Sequence, residues 1–500
     1  MDPTELNGAL LVAAGVLLAA VAAVRLAVRA GLPSLLVYLA LGLLLGEAGL
    51  GLDFEDADLT QVLGTLALAV ILAEGGFTTD WRTIRPVAPL AGVLATVGVG
   101  VSVAVTTGAV LLVLDVDLRT AILLGAVAAS TDAAAVFAVL RSMPIRGRLR
   151  AVVEAESGFN DPPVIILVTV VTSDAWSEAS VAGMLGEIGW QLVLGVTCGF
   201  LVARAGCWAL ERTALPASGL YPIATMAIAF LAFAVSGVAG GSALMAIYVA
   251  GLTLGNARLP HRTTTGSFVE GLAWLAQIGL FVLLGLLASP SRLLDALPYA
   301  LVVGGVLTLV ARPVSVAVCT TPFGVPWRDQ AFISWAGLRG AVPIVLATIP
   351  MSVGLPSAHR VFDVVFLLVV VFTLVQGPTL PWVARRLGAS AEDNPRGMTI
   401  ESAPLDEIGA ILLQFTVPPE SRLAGVEVAE LRLPPSATVA MVLRGGTIFT
   451  PAPTTQLRRG DHVLVAGARD DREPIERRLR EISSAGRLAG WYAGLAGERG

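Results

Sequence analysis

Thirteen apolar runs can be laid along the first 387 positions, near 8–30, 33–51, 60–79, 87–114, 118–140, 151–173, 181–209, 219–238, 241–257, 268–288, 294–319, 329–350 and 361–384. Each approaches the roughly 20 residues that carry a helix across a hydrocarbon core of about 30 Å. Such a chain has few choices, because in lipid every backbone amide must find its partner within the spanning segment or in a closed barrel. The expected fold class is therefore membrane all-α, with thirteen transmembrane helices. Composition agrees: 55% of residues are hydrophobic and 14% charged, with a mean hydropathy of +0.79. A soluble globular chain is excluded. Charge then divides the sequence. Residues 1–387 hold 20 Arg and 23 Asp/Glu, whereas the 113 residues from 388 onward hold 13 and 15, more than doubling the density. The organisation expected is a transmembrane domain over 1–387, a linker over 388–403, a small cytoplasmic α+β domain over 404–484 and a flexible tail over 485–500.

All 33 positive charges are arginine. Without lysine there is no Walker A phosphate cradle, so an ATP-driven pump within this chain is excluded, and so is a Schiff-base mechanism. Three histidines offer little to a metal or imidazole site, and no basic patch suits nucleic acid. Cys198, Cys207 and Cys319 have no paired or metal-ligand spacing and read as packing residues. No resident cofactor is expected.

Arginine bias in short loops sets orientation. Alternate loops carry fifteen arginines, the others only Arg119, Arg292 and Arg360. The arginine-rich face is thus cytoplasmic, the N-terminus outside, the C-terminal domain inside, and the chain a multi-pass protein of the cell inner membrane. The start has no positive n-region, so no cleavable signal peptide is expected.

Two runs look broken at mid-membrane. The fifth carries Ser130-Thr131-Asp132, and the twelfth carries Gly337-Leu338-Arg339-Gly340 followed by Pro343. They lie seven spans apart, which reverses their orientation. Interrupted helices at corresponding positions of two inverted repeats point to a transporter's binding site; the alternative is that the glycines only let helices pack closely.

A carboxylate at membrane depth is costly unless neutralised, paired or wetted. The sixth run holds three, in Glu154-Ala155-Glu156-Ser157-Gly158-Phe159-Asn160-Asp161-Pro162-Pro163. Helical spacing puts Glu154, Ser157 and Asp161 on one face and Glu156 with Asn160 on another. Pro162 and Pro163 donate no amide hydrogen, which frees the carbonyls of Gly158 and Phe159 beside Asp161. Carboxylate, hydroxyl and bare carbonyl suit a hard monovalent cation; Thr131 and Asp132 could complete the set, and Glu154 could line a proton path. Arg339 needs an anion. Glu156 is the preferred partner, with Glu74 third in that structural cluster and Asp132 as the alternative; Glu74 reads equally well as an interfacial residue. Glu47, Glu187, Glu270 and Arg312 lie close enough to span ends to snorkel.

At these residues the sequence resembles a known family. Ala129-Ser130-Thr131-Asp132-Ala133-Ala134-Ala135-Val136-Phe137, Glu156-Ser157-Gly158-Phe159-Asn160-Asp161-Pro162 and Trp335-Ala336-Gly337-Leu338-Arg339-Gly340-Ala341-Val342-Pro343 are similar to the ordered motifs of NhaP-type monovalent cation/proton antiporters. Alanine after the Thr-Asp pair and the Pro-Ile-Val-Leu-Ala run from Pro343 resemble the bacterial potassium/proton branch. The resemblance implies thirteen spans in two inverted repeats with two broken crossing helices, a homodimer in the lipid bilayer, and a cation site at Asp161 with Ser157 and Thr131. It also implies electroneutral exchange, because Asn160 stands where charge-moving relatives have a second aspartate.

The exchange chemistry follows from the residues as well. Burial favours the neutral form of a carboxylate and a bound cation favours the charged form, so K+ or Na+ competes with H+ for Asp161. Only a neutralised site crosses the low dielectric cheaply, which makes exchange obligatory. The alternatives are an RCK-gated ion channel, for which no filter sequence is visible, and an intramembrane enzyme, for which Ser157 has no histidine at membrane depth.

Beyond residue 404 the period changes to short strands near 410–417, 438–444, 447–449 and 462–467, with a helix over Glu473–Ile482. With Gly460-Asp461 before the last strand, this unit resembles the RCK C-terminal (TrkA-C) regulatory lobe. The resemblance implies control by a ligand, with a nucleotide as the candidate; no Gly-rich dinucleotide fingerprint accompanies it. A plain stabilising cap is the alternative.

Overall fold

A computed structural model describes residues 3–30, 33–47, 49, 51, 56–132, 135–136, 139–140, 143, 145–173, 176, 181–257, 259–390, 400–405, 410–418, 421–468 and 471–486. The chain divides into two compact units, Met1–Ala391 and Glu392–Gly500. The first is built of helices: α1 (Pro3–Ala30), α2 (Ser34–Leu45), α3 (Ala57–Thr78), α4 (Ala88–Val113), α5 (Leu118–Ala129), α6 (Gly147–Phe159), α7 (Asp161–Thr172), α8 (Val181–Arg212), α9 (Leu220–Val238), α10 (Ala243–Asn256), α11 (Arg262–Leu287), α12 (Pro290–Phe323), α13 (Trp327–Trp335), α14 (Ala341–Ser352) and α15 (Ala358–Leu387). Among the described residues seven of these, α3, α4, α8, α9, α11, α12 and α15, are long and apolar enough to cross a membrane, and α2, α5, α10, α14 and part of α1 are shorter apolar helices.

Helix starts follow the sequence. Asp56, Asp117 and Ser242 each accept a backbone N–H of the first turn with a side-chain oxygen, at α3, α5 and α10. Gly388, at φ 68°, ends α15. The helices pack in two groups. In one, α2 and α3 pack on α11, and α3, α8 and α9 pack on α10; in the other, α4 packs on α5, α6 and α12, α7 packs on α5, and α12, α13 and α14 pack on α15. The groups meet where α14 crosses α3. Outward-facing residues stay apolar, Leu112 at 88% and Val238 at 92% exposure, as lipid-facing positions require.

Both interruptions expected at mid-membrane are present, and a third lies between α6 and α7. α5 ends at Ala129 and the chain runs extended through Ser130; α13 and α14 are separated by Ala336–Gly340. Between α6 and α7, Asn160 carries the break: its own N–H still donates to the Glu156 carbonyl, but the next helical bond, from Val164 to the Asn160 carbonyl, has stretched to 3.4 Å.

The second unit is an antiparallel sheet of β1 (Ile400–Leu405), β2 (Ala410–Thr416), β3 (Thr438–Arg444), β4 (Thr447–Phe449) and β5 (His462–Ala468), in the order β1-β2-β5-β3-β4. Helix α16 (Arg472–Ala485) buries Ile475, Leu479 and Ile482 with the inward residues Leu413, Phe415, Val442, Val463 and Val465. Strand β1 corrects the expected linker of 388–403, since it begins at Ile400 and pairs along β2, Ser402 opposite Leu413. Its residues Ile-Glu-Ser-Ala-Pro-Leu lack alternation and include a proline, which an edge strand tolerates. Residues 391–399 of that linker and 487–500 of the tail lie outside the described residues.

Candidate functional site

The breaks in α5–α7 and α13–α14 bring their polar residues together. Asp161 opens α7 and is 1% exposed, and Ser130, Thr131, Ser157 and Asn160 around it are fully buried. The Ser130 hydroxyl donates to Asp161 Oδ1 at 2.7 Å. The Asn160 side-chain amide donates to Thr131 Oγ1 at 2.5 Å and to Glu156 Oε1 at 3.2 Å, and the Thr131 hydroxyl passes the chain on to Ser157 Oγ at 3.1 Å. Two oxygens are left over: Asp161 Oδ2 and Asn160 Oδ1 are buried with no hydrogen-bond partner among the described residues. An unmade bond on a buried oxygen costs about 1–3 kcal/mol, a cost that a proton or a cation at either oxygen would relieve.

Asp132 belongs to a different task. Its Oδ2 accepts the Ala341 N–H at 2.7 Å, its own N–H donates to the Leu338 carbonyl at 3.0 Å, and so it caps α14 across the second break. The carboxylate fills the space beside Gly340, where a Cβ would stand 1.8 Å from Oδ2. One of its oxygens is therefore directed at α14, not at Asp161.

The expected pair between Arg339 and Glu156 is corrected. Arg312, on α12, takes both Glu156 oxygens, with Nη1 to Oε1 at 2.9 Å and Nη2 to Oε2 at 2.7 Å, and both residues are buried. Arg339 instead donates from Nη1 to the Gly337 carbonyl at 2.6 Å and from Nε to the Ala128 carbonyl at 3.4 Å, bridging the two broken helices through carbonyls the breaks have freed. It remains within charge range of both Arg312 and Glu156. Position along a span misled here. Arg312 lies seven residues from the end of its apolar run, but α12 continues to Phe323 and carries the guanidinium inward, against Gly337. Arg312-Pro313 inside an apolar run was the available signal.

Glu154 is half-buried mid-way along α6, 3.9 Å from Arg150. Glu74 is half-buried one turn before the end of α3, and its carbonyl accepts the Thr78 hydroxyl. Ser130, which its place in the motif does not single out, directly contacts Asp161. In the second unit Asp461 receives Arg444 through two bonds, 2.8 and 2.7 Å, and the Arg458 N–H at 2.7 Å, which fixes the turn before β5.

Residues 16–386 match the family model described as the transmembrane sodium/hydrogen exchanger, and residues 412–480 match the TrkA-C domain. A K(+)/H(+) antiporter NhaP2 of Shewanella baltica is 35% identical over 495 residues, covering 95% of this chain and 83% of the relative. A K(+)/H(+) antiporter NhaP of Alkalimonas amylolytica is 36% identical over 92% of this chain and 81% of its own. The solved structure of the sodium proton antiporter MjNhaP1 of Methanocaldococcus jannaschii superposes with a TM-score of 0.67 at 21% identity, covering 77% of this chain and 99% of that one, and so shares the fold. The chain belongs to the transmembrane sodium/hydrogen exchanger family, among NhaP-type cation/proton antiporters that carry a C-terminal TrkA-C domain.

Proposed function

We propose that the protein is a secondary antiporter of the cell inner membrane, exchanging a monovalent cation for H+ by alternating access, with the two ions competing for Asp161. One observation carries the reading: a buried Asp161 carboxylate oxygen and the Asn160 amide oxygen have no hydrogen-bond partner among the described residues, beside the buried hydroxyls of Ser130, Thr131 and Ser157 that bond to these two side chains or to each other. Asp161, Ser157, Thr131 and Asn160 are the proposed ligand set, joined by Ser130; Asp132 caps α14, and Glu154 lines the approach. The two relatives named as K(+)/H(+) antiporters point to K+, and Na+, the ion in the name of MjNhaP1, suits the same oxygens.

Charge bookkeeping supports electroneutral exchange. Around the breaks the buried charges are Asp132, Glu156 and Asp161 against Arg312 and Arg339. With Asp161 ionised the sum is one negative charge, and a single monovalent cation or proton brings it to zero, the only condition under which the group moves cheaply through low dielectric. Thirteen spans in two inverted repeats fit the order of long and short apolar helices with the α6–α7 segment between them, and a homodimer belongs to the same reading. The TrkA-C domain is the proposed regulatory part, with a nucleotide as its candidate ligand.

The test is cation-dependent dequenching in everted vesicles from cells lacking their own antiporters, run with K+ and Na+. Asp161→Asn should abolish exchange while leaving a folded protein. Exchange above background in that variant would sink the assignment.

A further inference from the structure

Tyr248 stands outside the ligand set and presses against it. It lies mid-way along α10 and is 3% exposed. Its ring meets Phe159 edge-on, with centroids 5.7 Å apart, and sits so close to Gly158 that a Cβ there would lie 3.0–3.2 Å from ring atoms. Gly158 and Phe159 are the last two residues of α6 before Asn160 and Asp161. The phenol end reaches the Thr79 side chain, just past α3, and lies within charge range of Glu154.

The Glu154 side chain is 19% exposed, whereas Tyr248 and Asp161 are buried. Glu154 lies one turn after Arg150, on the helix whose start carries Arg146, Arg148 and Arg150. Tyr248 is rooted in the helical group of α3 and α10, whereas Asp161 travels with the group of α5 and α7. An aromatic side chain from one group thus packs against the last residues before a carboxylate held by the other.

We propose that Tyr248 is the inner gate of the exchanger: it seals Asp161 from the arginine-rich, cytoplasmic face, and parts from Gly158 and Phe159 whenever the site opens to that face. The inference rests on the alternating-access reading above. A contact made in one state only biases the equilibrium between states by its own free energy, and ligand affinities at the two faces then shift in opposite directions. A residue that only packs would alter both faces alike, or change the amount of folded protein.

The experiment compares Tyr248→Phe, Tyr248→Leu and Tyr248→Ala in the full chain, measuring half-saturating K+ and Na+ at the cytoplasmic face in everted vesicles and at the outer face in right-side-out vesicles. The phenylalanine variant keeps the ring and should stay within about twofold of the parent. The alanine variant should lower half-saturation at the cytoplasmic face by roughly three- to tenfold and raise it by a similar factor outside, with leucine between. Should alanine fail to fold, Phe159→Ala removes the other half of the contact and is expected to shift the same way. Active leucine, alanine or Phe159→Ala variants whose half-saturation is unchanged, or moves in the same direction at both faces, would overturn the gate. Absence of exchange in the parent chain would refute the antiporter reading, and the gate with it.

Discussion

Replacing Arg312 by leucine would strip the buried Glu156 carboxylate of its two shortest bonds, 2.9 and 2.7 Å long. Hydrogen bonds to a charged group contribute about 1.5–3 kcal/mol each, and removing one member of a buried ion pair costs about 3–5 kcal/mol, because the other charge is left uncompensated. Two features hold the expected loss near the lower figure: Asn160 still donates to Glu156, and Arg339 stays within charge range of it. Arg339→Leu acts differently, since it strands the Gly337 and Ala128 carbonyls, not the carboxylate. Denaturant unfolding in detergent of Arg312→Leu, Arg339→Leu and Glu156→Leu, with the two doubles that contain Glu156→Leu, separates the pairs. Coupling should reach at least about 2 kcal/mol between positions 156 and 312 and stay below about 1 kcal/mol between 156 and 339. The 156/312 double should also be more stable than either of its single variants. Strong coupling at 339 and none at 312 would refute the assignment of the pair.

Asn160→Asp adds a second buried negative charge that one monovalent ion does not neutralise, so exchange, with Na+ as the test ion, should begin to respond to a membrane potential imposed by potassium and valinomycin. Gly340→Ala would put a Cβ 1.8 Å from Asp132 Oδ2; displacing the carboxylate from the Ala341 amide should cost about 1–3 kcal/mol, read as a lower melting temperature in detergent. In the C-terminal unit, burial raises the Asp461 carboxyl, but the Arg444 bonds, the Arg458 amide and both positive charges outweigh it and hold it below its usual range. A depressed carboxylate contributes stability above the ordinary carboxylate range and loses it as pH falls through the lowered value. Asp461→Asn should therefore cost about 1–2 kcal/mol at neutral pH, and the difference from the parent should vanish in acid, as followed by melting. Deleting residues 392–500 should leave exchange intact with an altered pH or ligand set-point; an unchanged profile in a folded truncation would make the domain a cap.

Much of this protein was legible along the chain because lipid enforces local solutions. Long apolar runs have to be helices, prolines and glycines have to mark the places where the ladder fails, and a carboxylate such as Asp161 at membrane depth has to have a use. The period-2 strands after residue 410 were equally plain, whereas β1 was not, since its register comes from β2 and not from its own pattern. Helical spacing along the sequence also set Glu156 apart from Asp161, and the structure places them in two helices, α6 and α7, on either side of Asn160. Which arginine answers Glu156 could not be read there. Arg312 and Arg339 are both single cations in apolar runs, and the choice depends on how α12 packs against the two breaks, a matter of three-dimensional distance that spacing along one helix does not encode. Asp132 is the same case: its carboxylate caps a helix that begins at Ala341, more than 200 residues away. Tyr248 carried no signal at all, because an aromatic in an apolar run is unremarked until tertiary packing sets its ring against Gly158 and Phe159, the last residues before the break at Asn160.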